Sequence, residues 1–152
     1  MKRKVLSLLL VVCCLVGASA CQLPFFGEDT VSVSYEVEEI PACIEQTTEN
    51  MVAIRILKTH GKETLSDMME YLRAEGAFTY TESGGMITAI NGKENAADWS
   101  YCWMLYTSDA EFANTEWGTV EYVGETLGSA VVGAETLPVT EGAVYVWNYT
   151  GF

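Results

Sequence analysis

The sequence predicts an α+β domain in which one helix packs on a mostly antiparallel sheet of about five to seven strands. Three observations carry that expectation. One stretch has helical periodicity, with Leu65, Met68, Met69 and Leu72 at i, i+3, i+4 and i+7. Several other stretches alternate apolar and polar residues with a period of two, as half-buried strands do. Glycine-containing turns stand between them, at Ser83-Gly84-Gly85, Asn91-Gly92 and Val139-Thr-Glu-Gly142.

In chain order, Lys2-Arg3-Lys4 precedes an apolar run from Val5 to Val16 and the small residues Gly17-Ala18-Ser19-Ala20. This is the order of a secretory signal, too short and too asymmetrically flanked for a stable span, so residues 1–20 are expected to be a signal peptide. Ala18-Ser19-Ala20-Cys21 resembles a bacterial lipobox, with Ala18 where Leu is usual, which makes Cys21 the expected lipidation site. Ordinary signal peptidase would also accept Ala18-x-Ala20, and free secretion is the alternative. Lipidation would place the protein on the outer face of the cell membrane, each buried CH₂ contributing roughly 0.8 kcal/mol. Residues 21–30, with Pro24 and Gly27, then form a tether to a domain over 31–152.

Within that domain Val31, Val33, Tyr35 and Val37 alternate with polar residues and predict a strand, followed by a polar stretch from Glu38 to Asn50 that is either a loop or a ragged edge. Met51 to Leu57 predicts a second strand. The helix follows, with Thr64 as its N-cap, Asp67 in a capping-box position and Gly76 at the left-handed C-terminal position. Phe78–Thr81, Met86–Ile90, the alternating Trp99–Tyr106, Thr119–Val123 and Ala143–Tyr149 predict the remaining strands, and Tyr145, Trp147 and Tyr149 share one face of the last.

The charge is strongly acidic, 8 Lys and Arg against 21 Asp and Glu. Removing the signal takes Lys2, Arg3 and Lys4 with it and leaves five basic side chains against the same 21 acidic ones, a formal charge of −16. Nucleic-acid affinity comes from Lys and Arg neutralising phosphates, so nucleic acid is excluded as a partner, and so is a bare anionic membrane. Of five cysteines only Cys43 and Cys102 remain beyond the signal and the anchor. In an exported protein they are a candidate disulfide, and two buried thiols are the equal alternative.

Catalytic signals are sparse, and no enzyme is expected. His60 is the single histidine, next to Gly61 at a strand end. Ser83 and Ser100 lack a nucleophile-elbow context, and neither a phosphate-binding glycine loop nor a C-x-x-C spacing occurs beyond the signal. Asp109, Glu111 and Glu116 in one loop, and Glu94 with Asp98 in another, could supply oxygens to a divalent cation, but the ordered spacing of a calcium loop is missing, and no metal site is assigned. Aromatic residues are the informative class: Trp99, Tyr101, Trp103, Trp117, Tyr122, Tyr145, Trp147 and Tyr149 cluster towards the C-terminal end. Such side chains suit a flat ring system or a sugar. Trp103 and Trp147 are expected instead to fill the core between sheet and helix.

The ordered set Thr64-Leu65-x-x-Met68-Met69, Phe78-Thr-Tyr80, Gly85-Met86-Ile87-Thr-x-Ile90-Asn91-Gly92, Trp103-Met-Leu-Tyr106 and Gly142-Ala-Val-Tyr-Val-Trp147 resembles the C-terminal domain of the transcobalamin and intrinsic factor family. That domain also occurs as a stand-alone module of bacterial surface proteins. The resemblance covers about Met51 to Phe152. It implies a β-grasp-like fold and a soluble ligand, cobalamin or another corrinoid, bound without any required cofactor. It further implies ligand-facing residues Ile87, Leu105 and Phe112, and a partner uptake transporter in the membrane. A protein- or glycan-binding adhesion module and a divalent-cation-binding surface protein are the alternatives.

Overall fold

A computed structural model describes residues 40–151. The expected signal peptide, Cys21, the tether and the strand at Val31–Val37 lie outside the described residues. The elements run β1 (Ala42–Thr47), β2 (Met51–Ile56), α1 (Leu65–Ala74), β3 (Tyr80–Ser83), β4 (Met86–Ile90), β5 (Lys93–Glu94), β6 (Tyr101–Thr107), β7 (Ala113–Tyr122), β8 (Glu125–Ala130) and β9 (Val144–Gly151). The fold is a mostly antiparallel β structure with one helix, as the α+β expectation has it. A six-stranded sheet has the order β1-β2-β9-β6-β8-β7, and β3-β4-β5 form a small second sheet.

The helix begins where its caps demand. Thr64 accepts a hydrogen bond from the Asp67 amide, and the Asp67 carboxylate accepts from the Thr64 amide, so two N–H groups without a helical partner are satisfied. Those bonds hold the Asp67 carboxyl below its usual range. Gly76, at φ +75°, takes the left-handed conformation just past the C-cap Glu75. Leu65, Met68, Met69 and Leu72 are all buried.

The polar stretch, expected to be a loop or a ragged edge, contains an edge strand. Ala42 and Ile44 pack on the main core, whereas the polar Glu45, Gln46 and Thr47 are exposed on this strand, which pairs only with β2. A bulge between Ile44 and Gln46 interrupts the alternation and hides it in the sequence.

Each central strand divides its side chains between two cores. Val52, Ile54 and Ile56 of β2, Trp103 and Leu105 of β6, and Tyr145 and Trp147 of β9 pack with the helix. Ala53, Tyr106, Val144 and Val146 point to the opposite face, where they meet Val120, Tyr122 and Leu127 of the β7–β8 hairpin. The hairpin therefore folds over that face. The bulge between Asn114 and Thr119 bends it, and Gly128 leaves room for the crossing, since a Cβ there would stand 2.9 Å from the Asn114 amide nitrogen. Its tip is tied to the far edge of the sheet: the Tyr122 hydroxyl donates to Glu45 Oε2 at 2.9 Å, and Glu45 also pairs with Arg55.

Cys43 and Cys102 are free thiols. They lie on β1 and β6, with β2 and β9 between them. Three strand spacings of about 4.8 Å each exceed the Cα separation of about 7 Å that a disulfide spans. The disulfide expectation is not met in this structure; Cys102 is buried, Cys43 is half-buried, and burial raises the pKa of both thiols.

Candidate functional site

The site arises from a gap in the sheet. β6 pairs with β9 along its whole length, from Tyr101↔Gly151 to Thr107↔Tyr145. On its other flank it pairs with β8 only at Tyr106↔Ser129 and Thr107↔Gly128. Backbone groups of the odd-numbered residues face that flank: the Tyr101 carbonyl accepts from the Ala96 amide, and the Trp103 amide donates to Asn95 Oδ1 at 2.9 Å. Between Trp103 and Tyr106 the flank has no strand partner among the described residues.

The chain leaving β8 explains the gap. Its Val131 amide donates to the Phe112 carbonyl, and the segment then turns at Gly133, whose carbonyl accepts from Leu137. It is fastened to the helix start, where the Ser66 amide donates to the Ala134 carbonyl and the Leu65 amide to the Leu137 carbonyl. Anchored at both ends, the segment stands apart from β6 and forms the wall of a groove.

This groove has a volume of about 300 Å³. Ile87 of β4, Trp103 and Leu105 of β6, and Trp147 of β9 line it opposite the wall at Val131–Ala134. None of its lining residues is charged. Of the three residues the resemblance singles out, Ile87 and Leu105 meet in the groove and Phe112 does not line it. Phe112 is half-buried against the main core and serves the wall through its carbonyl.

The two tryptophans expected to fill the core do so, and they also line the groove. Their indole nitrogens differ. Trp103 Nε1 donates to the Lys93 carbonyl at 2.8 Å. Trp147 Nε1 is buried without a hydrogen-bond partner. Outside the groove lining, Tyr149 meets Trp103 edge-on and stacks on half-exposed Tyr101, with Lys93 Nζ 4.3 Å from the Tyr149 ring centre and bonded to Glu49 and Asn50.

The remaining candidates are placed as follows. His60 is exposed in a turn at φ +46°. The Asp109 carboxylate braces its own loop, accepting from the Glu111 amide and from the Thr140 hydroxyl at 2.7 Å. Among the described residues no group of three or more His, Cys, Asp or Glu side chains is arranged to hold a metal ion. No described helix is long and apolar enough to cross a membrane.

The wall at Val131–Ala134 is the part that sequence reasoning missed. Its available signal was an apolar run, Ala130-Val-Val-Gly-Ala134, with neither helical nor strand periodicity. No family model matches the chain, and neither a curated protein nor a solved structure matches it.

Proposed function

We propose that this protein is an exported lipoprotein, anchored through Cys21 at the outer face of the cell membrane, that binds a soluble ligand in the groove between β6 and Val131–Ala134. We read the helix-on-sheet domain as β-grasp-like and the ligand as cobalamin or another corrinoid, held for uptake by a membrane transporter. It is a binding protein and not an enzyme.

The observation that supports this reading is the convergence of Ile87 and Leu105, far apart in sequence, on one apolar groove together with two tryptophans. Ligand sites typically span about 300–1,000 Å³, so a groove at the small end takes one edge or substituent of a corrinoid and leaves the rest to a partner. Absorbance and calorimetric titration with cyanocobalamin and dicyanocobinamide test it. Binding by the wild type and its loss in Leu105→Trp, which fills the groove, is the expected result. No heat and no spectral change at high micromolar ligand would sink the corrinoid reading. Replacing Cys21 by Ser is expected to release the protein from membranes, read by fractionation.

A second reading, a glycan-binding module, draws on Trp99. This residue is held at φ +62°, a conformation bulky residues rarely adopt, with half its surface exposed beside Thr81, Thr88 and Glu94. Retention on a glycan array that Trp99→Ala abolishes would favour it over the groove.

A further inference from the structure

We propose that the Trp147 indole N–H is the hydrogen-bond donor of the groove, and that the group it receives is a neutral carbonyl acceptor, a carboxamide or lactam, and not a carboxylate. This inference rests on the groove being the ligand site. Trp147 is 5% exposed and lines the groove, and its Nε1 is the one buried side-chain nitrogen or oxygen without a partner among the described residues. Buried polar groups are nearly always hydrogen-bonded, and one left alone disfavours the structure that holds it. Trp103, on the neighbouring strand, follows the rule through the Lys93 carbonyl. An acceptor brought in by a ligand would satisfy Trp147 in the same way, and the ligand would gain a bond that costs the protein no existing one.

The charge of that acceptor follows from what surrounds it. No Lys, Arg or His lines the groove. Glu135 stands at its rim, close enough that a Cβ at Gly85, itself a lining residue, would lie 3.2 Å from Glu135 Oε2. An anionic ligand would be desolvated in an apolar groove beside a like charge with no counter-ion. A neutral carbonyl meets neither penalty. Trp147 Nε1 is closed to bulk water, so the acceptor reaches it only as a neighbouring side chain yields.

The test uses the full-length chain labelled with nitrogen-15 at its four tryptophan indoles, with Trp147→Phe assigning the signal. The small lactam 2-pyrrolidone is the neutral probe and acetate the anionic one. The Trp147 indole proton is expected to move downfield and saturate with 2-pyrrolidone, to move far less with acetate, and the Trp103 signal to stay in place. An unmoved Trp147 signal overturns the assignment, whether or not the Ile87 and Leu105 methyl signals respond; their response alone would leave the groove standing as a binding site. In a parallel arm, Trp147→Phe is expected to weaken dicyanocobinamide binding about tenfold, the size of one hydrogen bond to a buried donor. Equal affinity in the variant overturns the donor role. If dicyanocobinamide fails to bind the wild type while 2-pyrrolidone shifts Trp147, the corrinoid reading falls and the donor assignment stands.

Discussion

The two faces of the six-stranded sheet are covered by opposite strategies. On one face a helix with its own caps lays Leu65, Met68, Met69 and Leu72 over Val52, Ile54, Tyr145 and Trp147. On the other, a hairpin bends across the sheet and lays Val120, Tyr122 and Leu127 over Ala53, Val144 and Val146. The helix is specified by contacts within a few residues, whereas the hairpin depends on the tie between Tyr122 and Glu45, 77 residues apart. The lesson is that the first face should behave as the cooperative centre of the domain and the second as a cover that opens first.

Substitutions on the two faces sharpen that contrast. Ile54→Ala, in the fully buried helix-side core, is expected to cost about 4 kcal/mol and to lower every unfolding probe together in a urea titration. Leu127→Ala, under the hairpin, is expected to cost about 3 kcal/mol, with the Val120–Tyr122 amides exchanging ahead of those in β2 and β9. Simultaneous exchange on both faces would break the distinction.

The polar tie gives a smaller effect. Tyr122→Phe removes one hydrogen bond to a carboxylate near the surface and is expected to cost about 1 kcal/mol in thermal or urea unfolding. Its pH dependence has a definite sign. The hydrogen bond from Arg55 first, and that from Tyr122, hold the Glu45 carboxyl below its usual range. Its contribution is therefore present above the ordinary glutamate value and is lost as pH falls through the depressed one. Burial, then the bond to Glu45, pushes the Tyr122 hydroxyl up to about 12 from 10. Its contribution is complete below pH 10 and is lost as pH rises toward 12. The hairpin face should thus loosen at both extremes, and Tyr122→Phe should flatten the alkaline arm of a stability profile.

The smallest effect is expected at the exposed helix start. Thr64→Ala breaks the capping box at a cost of about 0.5–1 kcal/mol, visible as a slightly lower thermal midpoint.

How much was legible follows the same division. The helix, its caps and its buried face were readable because Thr64, Asp67, Gly76 and the Leu65–Leu72 stripe act locally. So was the Asn91-Gly92 turn, both of whose residues take positive φ. The edge strand Ala42–Thr47 was readable only as a loop or a ragged edge, because a bulge leaves no clean alternation. The division of β6 into two buried faces was not readable. Trp103 and Leu105 were readable as one face, but the cover over Tyr106 comes from a hairpin whose bend no local pattern announces. Within the groove, Ile87 and Leu105 were reached through a resemblance to a family, while Val131–Ala134 became a wall only through long-range bonds to Phe112 and to the helix start.

The central claim is that the gap beside β6 receives the ligand, and hydrogen exchange by mass spectrometry, with and without saturating cyanocobalamin, tests it most directly. Slowed exchange confined to residues 85–87, 103–105 and 130–134 is the expected result. Unchanged exchange throughout, or protection centred on the Trp99 loop with the groove unaffected, would contradict it.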